Sequence, residues 1–335
     1  ELYRQFWQPI QEKLDGIETV YLSLDGVYNK INLNTLVNPE TGKYLLDELD
    51  LRIVTSTRDL VERKYRNENP ANNSIALFGD PRYDLDSSQY TQQAARFASN
   101  ITRDHYYFGS GFDTLARGSI VSLPGTGKEV EKISEAFENR KWEVDTYRGE
   151  EALEEAVKAL ENPRVLHIAT HGKFLRDVEI ESDFMSLGID KDRYVENPLL
   201  RSYLLFAGAE QTLMNPNKYL EDREDGLLTA YEAMNLNLDN TELVVLSACE
   251  TGLGEIQNGE GVYGLQRAFM VAGAKTLIMS LWSVNDEATQ ELMTTFYTKW
   301  LSGKTKREAF REAQMELREK YPLFYYWGAF VMVGE

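Results

Sequence analysis

Hydrophobic and polar positions along the chain follow two alternating patterns. Short apolar runs typical of buried strands recur after residue 74, and most are separated by stretches with apolar residues three and four positions apart. The predicted strands are 75–79, 142–147, 164–169, 243–247, 275–281 and 329–333. The clearest helical stretches are 150–160, 262–272, 286–301 and 305–319. Strands that alternate with helices predict an α/β fold with a mostly parallel six-stranded sheet.

The first 74 residues show a different pattern. A helical stretch at 2–14 is followed by short strand-like runs and then by a polar segment without periodicity. The strand-like runs are 19–24, 30–33 and 51–56, and the polar segment is 62–74. We therefore predict a small α+β N-terminal subdomain at 1–74 and a main domain at 75–335. Two segments of the main domain, 84–117 and 176–226, are too long for ordinary connections and are expected to flank a functional cleft.

Two helix starts carry the spacing of a capping box, in which a Thr is followed three residues later by a Glu. Thr126 and Glu129 predict one helix start near residue 124, and Thr229 and Glu232 predict another.

Composition narrows the class of protein. The chain has 335 residues, 42% of them hydrophobic and 27% charged, as in ordinary globular proteins. Its formal net charge of −18 argues against direct binding to nucleic acid, which requires a basic face. The sequence contains no run of 18 apolar residues, so it predicts no membrane-spanning helix. One cysteine excludes an internal disulfide and fits a cytoplasmic location. A start at Glu1 suggests the C-terminal piece of a longer protein.

The candidate chemistry lies at the ends of two predicted strands. The only cysteine, Cys249, follows the strand 243–247, and His171 follows the strand 164–169. The carboxyl ends of parallel strands are where ligands and reacting groups collect. A thiol needs a nearby base to become a nucleophile, and a distant histidine can supply it. Either residue could instead be structural, since free cysteines are often small buried hydrophobes and loop histidines are often solvated.

The sequence indicates neither a cofactor nor a metal. His167, His171 and Cys249 make a poor set of zinc ligands, and His167 lies inside a strand, where packing or hydrogen bonding is expected. The stretch 123–128 resembles a phosphate-binding loop but lacks the required Gly at 122 and Ser or Thr at 129.

Four motifs together resemble one known family, the CHAT domain, which is caspase-like and related to separase. They occur in the order of that family and are His-Ile-Ala-Thr-His-Gly-Lys-Phe (167–174), Leu-Ser-Ala-Cys-Glu-Thr-Gly-Leu-Gly (246–254), Leu-Trp-Ser-Val-Asn-Asp-Glu-Ala-Thr (281–289) and Tyr-Tyr-Trp-Gly-Ala-Phe-Val-Met-Val-Gly (325–334). The resemblance covers essentially the whole chain. It implies a caspase-like three-layer sandwich and a cysteine endopeptidase.

The resemblance also implies roles for individual residues. Cys249 would attack a peptide carbonyl as the thiolate, with His171 as general acid and base. The backbone N–H groups of Gly172 and Cys249 would hold the oxyanion. Ser247, Trp282 and Asp286 would surround the pocket for the residue before the cleaved bond. Glu250 is added as a substrate-binding candidate because it directly follows the nucleophile.

Several alternatives stay open on the sequence. Asp286 could line the pocket and favour Arg or Lys, or it could cap the helix 286–301 and leave a pocket for an apolar side chain. The same fold could serve as a non-catalytic interaction scaffold, or the same dyad could perform acyl transfer. The expected partners are a protein substrate and a regulatory domain upstream of residue 1. Tetratricopeptide repeats often stand there in this family, and they could gate the activity.

Overall fold

The computed structural model describes residues 1–62, 72–97, 120–174, 198–214, 224–248, 255–257, 261–283 and 285–334. Its strands are β1 (Thr19–Ser23), β2 (Asp50–Val54), β3 (Ser74–Pro81), β4 (Glu143–Gly149), β5 (Val165–Ala169), β6 (Gly172–Phe174), β7 (Ser202–Leu205), β8 (Leu227–Thr229), β9 (Leu243–Leu246), β10 (Glu255–Gln257), β11 (Gly261–Tyr263), β12 (Leu277–Ser280) and β13 (Phe330–Val333).

The helices alternate with these strands through most of the chain. They are α1 (Leu2–Phe6), α2 (Gln8–Gln11), α3 (Leu45–Glu48), α4 (Asp59–Glu62), α5 (Ser87–Ala94), α6 (Pro124–Glu138), α7 (Glu154–Lys158), α8 (Ala209–Met214), α9 (Ala230–Ala233), α10 (Leu265–Val271), α11 (Asp286–Leu301), α12 (Lys306–Lys320) and α13 (Phe324–Trp327). Short 3-10 helices occur at Gly26–Lys30, Leu33–Thr35 and Pro198–Leu200.

A mostly parallel sheet of eight strands forms the centre of the molecule, in the order β1-β2-β13-β12-β9-β5-β3-β4. Every neighbouring pair is parallel except β12 with β13. All six predicted strands are present and the predicted α/β class is confirmed. The sheet is larger than predicted because β1 and β2 of the N-terminal segment add to its β13 edge.

Helices cover both faces of the sheet and make three layers. Successive strand residues point to opposite faces, so Leu166 and Ile168 pack into one buried cluster while Val165 and Ala169 pack into the other. The first cluster includes residues of α5, α7, α9 and α10, and the second includes residues of α6, α11 and α12. This alternation explains why β5 is buried at every position.

Several local predictions were wrong. The strand predicted at 30–33 is replaced by two 3-10 turns, because the side chains of Asp25 and Asn32 accept backbone N–H bonds that start turns. The helix predicted at 2–14 is two short helices, the helix predicted at 262–272 begins at Leu265 after β11, and the helix predicted at 150–160 is limited to α7. The segment 84–117 contains α5 within its described part.

One predicted capping box is confirmed and the other is wrong. The side chains and backbone N–H groups of Thr229 and Glu232 bond reciprocally at the start of α9. In α6, Thr126 lies inside the helix, where its hydroxyl donates to Leu123 O at 2.7 Å and accepts from Asp80 N at 2.9 Å. Glu129 is buried rather than turned back to the helix start.

Two small antiparallel sheets lie outside the main one. β6, β7 and β8 form the first, and β10 pairs with β11 in the second. The first is attached directly to the candidate site, because β6 begins at Gly172, immediately after His171. The division at residue 74 stays a prediction.

Candidate active site

The site residues meet at the edge of the sheet where four parallel strands end. β3, β5, β9 and β12 are neighbours that run in the same direction, so the residues following them share one edge. Ile168 of β5 pairs with Leu246 of β9, and His171 and Cys249 each lie three residues beyond that pair. Cys249 and Glu250 themselves lie outside the described residues, and the chain leading to them is described as far as Ala248.

The approach to Cys249 is fixed by both neighbouring strands. Ser247 N donates to Ile168 O at 2.9 Å, and the Ser280 hydroxyl donates to Ala248 O. Ser247 and Ala248 are 5% and 2% exposed. The last two residues before the cysteine are therefore held between β5 and β12.

A chain of hydrogen bonds anchors the backbone before His171. The Tyr83 hydroxyl lies 2.9 Å from the Thr170 hydroxyl, which donates to Leu205 O. Burial raises the pKa of Tyr83 to about 12, although its bond to Thr170 opposes the rise, so Tyr83 keeps its proton for donation. Leu205 N donates in turn to His171 O at 2.9 Å. These bonds position His171 between β5 and β7.

A backbone carbonyl orients the His171 ring. Nε2 lies 2.7 Å from Val121 O, and because a carbonyl only accepts, Nε2 carries the proton. The neutral ring then has its free lone pair on Nδ1, which can accept a proton. The Tyr83 ring packs beside the imidazole, with centroids 5.4 Å apart. Sequence reasoning missed Val121, since a backbone carbonyl leaves no signal in residue type.

The protonation of His171 is set by opposing influences. Burial lowers the pKa of His171 below its usual value, and the positive charge of Lys173 lowers it further. The bond to Val121 O and the negative charge of Asp286 act in the opposite direction but do not prevail. The ring is therefore neutral at pH 7, as a general base must be.

The backbone N–H of Gly172 is directed away from its partner strand. Gly172 pairs with Leu204 in the antiparallel β6–β7 register. Opposite residues of an antiparallel ladder alternate between pairs that exchange hydrogen bonds and pairs that do not. Leu205 N bonds to His171 O, so the next pair, Gly172 with Leu204, is a pair without hydrogen bonds. Its N–H is thus available at the strand end beside His171.

A narrow recess opens next to these strand ends, between α6 and α11. Ser247, Thr170 and Ala248 line it from the sheet side, Gly125, Thr126 and Glu129 from α6, Asp286 and Thr289 from α11, and Leu123 from the preceding loop. Its cavity volume is about 20 Å³, room for about one water molecule. The recess thus brings Ser247 and Asp286 together.

Asp286 does not cap α11. The cap is Asn285, whose side chain accepts from Ala288 N at 3.0 Å, and Asp286 is the first helical residue. Gly125 allows the close approach of Asp286, since a Cβ at residue 125 would lie 2.8 Å from Asp286 Cβ. The cap alternative for Asp286 was wrong because the neighbouring asparagine takes that position.

Trp282 is not among the residues that line the recess. Its indole N–H donates to Tyr325 O at 3.0 Å and its ring packs edge-on against Phe324, with centroids 6.2 Å apart. Phe324 and Tyr325 are exposed, so Trp282 belongs to an apolar surface beside α13. Its substrate-binding role stays a prediction.

His167 is buried in the core. Its Nδ1 lies 3.2 Å from the Tyr297 hydroxyl and its Nε2 lies 3.1 Å from Glu129 Oε1. His167 is fully buried, as its position inside β5 predicted.

The described residues contain one carboxylate cluster with the spacing of a metal site, formed by Glu154, Glu224 and Glu232. The Lys158 ammonium lies among them, 2.7, 2.6 and 3.0 Å from the three carboxylates. The lysine thus supplies the positive charge that an ion would bring.

Comparison with known proteins identifies the family. The CHAT domain family model matches residues 1–335. The chain belongs to the CHAT domain family. The resemblance carried by the four motifs is therefore confirmed.

Relatives of this CHAT domain include tetratricopeptide repeat protein 28 of Mus musculus and of Homo sapiens. Each is 32% identical over 111 residues, which is 32% of this chain and 4% of the relative. The chain thus spans a small part of the length of these relatives.

Two solved structures are similar to this CHAT domain. The Saccharomyces cerevisiae separase–securin complex has a TM-score of 0.43 at 12% identity, over 94% of this chain and 15% of that one. The complex of Porphyromonas gingivalis RgpB pro- and mature domains has a TM-score of 0.41 at 8% identity, over 95% and 78%. Within the described part of the CHAT domain, no helix has the length and apolarity needed to cross a membrane.

Proposed function

We propose that the chain is a cysteine endopeptidase with Cys249 as nucleophile and His171 as general acid and base. The observation that carries the proposal is the shared register of β5 and β9. It brings a histidine and a cysteine to the same offset beyond the paired residues Ile168 and Leu246. The orientation of His171 by Val121 O supports the proposal, because it leaves Nδ1 able to accept the thiol proton.

The reaction has two steps. His171 Nδ1 takes the proton of the Cys249 thiol, and the thiolate attacks the carbonyl carbon of the scissile bond. The N–H groups of Gly172 and Cys249 stabilise the resulting oxyanion, a contribution worth about 3 kcal/mol for one such donor. His171 then gives its proton to the leaving amine as the C–N bond breaks. Water, deprotonated by His171, hydrolyses the thioester and releases the free thiol and the new carboxyl group.

We propose that the recess receives the side chain before the cleaved bond and that this side chain is basic. Asp286 supports this choice because α11 is capped by Asn285, which leaves the Asp286 carboxylate at the recess. Ser247 offers a buried hydroxyl there without a hydrogen-bond partner among the described residues. Glu250 and Trp282 remain proposed substrate contacts.

The proposal includes control by an upstream partner. The relatives of this chain carry tetratricopeptide repeats in their name, and this chain spans 4% of their length. An upstream repeat segment would hold the recess closed until a signal releases it. A cytoplasmic location fits this control, since one cysteine cannot form an internal disulfide.

One observation favours a second candidate function, a non-catalytic interaction scaffold. The recess has a volume of about 20 Å³, which is too small for a substrate side chain as it stands. A scaffold has no need of an open pocket, whereas a peptidase must open one.

The experiment that separates the two functions is cleavage of a randomised peptide library by the full-length protein. A Cys249→Ala variant and a His171→Ala variant are run beside it, and the products are sequenced by mass spectrometry. We expect cleavage after Arg or Lys that both variants lose. Iodoacetamide labelling of Cys249 at neutral pH is the second arm, because it reports an activated thiol even when the pocket is closed.

Two results would overturn the peptidase. One is cleavage that persists in Cys249→Ala, which would point to a contaminant. The other is the absence of cleavage together with labelling of Cys249 no faster than in denatured protein, which would favour the scaffold.

A further inference from the structure

Glu129 is a buried carboxylate that the proposed reaction does not use. It lies on α6, is 2% exposed and lines the recess together with Ser247 and Asp286. Glu129 is one helical turn beyond Gly125, the residue that touches Asp286. Residues four apart on a helix share a face, so Glu129 lies about one turn, roughly 5 Å, along α6 from the contact with Asp286. Asp286 is exposed whereas Glu129 is buried, so Asp286 lies on the solvent side of the recess.

One oxygen of the Glu129 carboxylate, Oε1, has no hydrogen-bond partner among the described residues. His167 Nε2 lies 3.1 Å from Oε1, but the two atoms are not aligned for a hydrogen bond, and Oε1 has no such partner among the described residues. No described Lys or Arg lies within ion-pair distance of Glu129 or Asp286. A buried carboxylate without a donor is costly unless a ligand supplies one.

The hydroxyl of Ser247 is a second, independent sign of a missing ligand. Ser247 is 5% exposed, lines the same recess, and its Oγ also lacks a hydrogen-bond partner among the described residues. Two carboxylates and one hydroxyl along one recess match a long cationic side chain, whose N–H groups can donate to each of them.

We propose that Glu129 is a specificity-determining residue that pairs with the charged end of a Lys or Arg side chain before the cleaved bond. This inference rests on the proposed function, and it adds a second carboxylate to Asp286. His167, whose Nε2 lies 3.1 Å from Glu129 Oε1, is itself bonded through Nδ1 to the Tyr297 hydroxyl at 3.2 Å. Because the recess is about 20 Å³, it must widen when the substrate enters.

The test compares Glu129→Gln with a matched control on the same helix. Glu131→Gln removes the same charge two residues away, from an exposed side chain. Both full-length variants are assayed with peptides that differ only at the residue before the cut, which is Arg, Lys or norleucine. We expect the preference for Arg and Lys over norleucine, as the ratio of kcat/KM, to fall about 10- to 100-fold in Glu129→Gln and to stay unchanged in Glu131→Gln.

Two further variants separate specificity from structure. Asp286→Asn should reduce the preference only a few-fold, because that carboxylate is exposed and screened. Glu129→Asp should recover part of the preference lost in Glu129→Gln. A loss of activity on all three peptides alike, without a change of their ratio, would mean that Glu129 only supports the fold, and it would overturn the inference.

A binding measurement distinguishes failure of the inference from failure of the peptidase. The same peptides are titrated calorimetrically into Cys249→Ala protein with and without Glu129→Gln. If the Arg peptide binds and binding depends on Glu129 although no peptide is cleaved, the inference stands and the peptidase fails. If peptides are cleaved with the same preference in Glu129→Gln, the peptidase stands and the inference fails. If the Arg peptide is neither cleaved nor bound, both fail.

Discussion

The pKa of His171 is shifted in opposite directions by its neighbours Val121, Lys173 and Asp286. Burial has the largest effect and lowers the pKa of His171, Lys173 adds to it, and Val121 O and Asp286 oppose it. Lys173 is exposed on β6, so its side chain can be changed without disturbing the core. The pH dependence of the proposed reaction therefore has contributions that single substitutions can remove.

We expect the acid limb of kcat/KM for peptide cleavage to have its midpoint below about 6.5, the ordinary pKa of histidine. A lowered pKa keeps His171 neutral, and able to accept the thiol proton, at more acidic pH. Lys173→Met should move the limb toward neutral pH and Asp286→Asn should move it toward acid. The measurement is kcat/KM from pH 4.5 to 8 for the three proteins. An acid limb above 6.5, or one that neither substitution moves, would contradict this assignment of His171.

The sequence could point to site residues that directly follow a strand. It could not point to a backbone carbonyl, or decide which of two neighbouring residues caps a helix. Cys249 and His171 became candidates because a buried run ends before each of them, whereas Ser247 was predicted from the resemblance to the CHAT domain. Asp286 stayed ambiguous because Asn285 and Asp286 are both good caps, and only the three-dimensional start of α11 decides between them. Glu129 was misassigned because capping-box spacing also occurs inside helices.

At the scale of elements, a cluster of acidic side chains connects α7, α9 and the loop before β8. Lys158 pairs with three of its carboxylates, Gly226 N donates to Glu154 Oε2 at 2.9 Å, and the Tyr90 hydroxyl donates to Glu155 Oε2 at 2.7 Å. The charged and titratable groups that face one another are Tyr90, Glu154, Glu155, Lys158, Glu224, Asp225 and Glu232. This cluster fixes β8, which pairs with β7 and so supports the strand after His171.

Burial, and then the charge of Glu232, raise the pKa of Asp225 to about 8. A carboxyl group with a raised folded-state pKa binds a proton that the unfolded chain releases near pH 4, so its contribution to stability is lost as pH rises from about 4 to 8. We expect Asp225→Asn, which keeps the acceptor for Leu227 N, to remove this decline. The free energy of unfolding of the variant minus that of the unchanged protein should be more than about 1 kcal/mol larger at pH 8 than at pH 5.

Urea unfolding at pH 5 and pH 8 measures this difference. Asp15→Asn, at an exposed position, serves as the control and should show no such gain. An equal effect of Asp225→Asn at both pH values would show that Asp225 is ionised in the folded protein throughout this range.

The elements themselves were predictable where they are long or fully buried. The strong periodicity of α11 and α12 and the apolar runs of β5, β9 and β12 placed them within a few residues. The 3-10 turns at 26–35 were not predicted, because Asp25 and Asn32 start turns through side-chain bonds that no periodicity encodes. The eight-stranded sheet could not be counted from the sequence, since β1 and β2 lie far along the chain from β13, the strand that they join.

At the scale of the molecule, the N-terminal segment is bound to the C-terminal elements by side chains on both sides. Asn32 Nδ2 donates to Gly328 O at 2.7 Å and to Phe330 O at 3.3 Å, and Asn32 is 2% exposed. Arg307 of α12 pairs with Asp50 at 2.9 Å, and β2 bonds to the end of β13. These contacts span most of the length of the chain and cross the predicted boundary at residue 74.

We therefore expect the two predicted domains to unfold together. Asn32→Ala removes a buried donor from two carbonyl oxygens, which should lower the free energy of unfolding by about 1–3 kcal/mol. In a single cooperative unit the loss appears equally in the hydrogen-exchange protection of β2 and of β5, although only β2 belongs to the segment that carries Asn32.

Hydrogen exchange read by mass spectrometry measures both strands in one experiment. Asn29→Ala is the control, because among the described residues the Asn29 side chain bonds only to Gly26 O, within its own segment, at 3.3 Å. A loss of protection confined to β2 would instead make residues 1–74 an independent folding unit, because β5 would then keep its stability after the bonds across the boundary are removed.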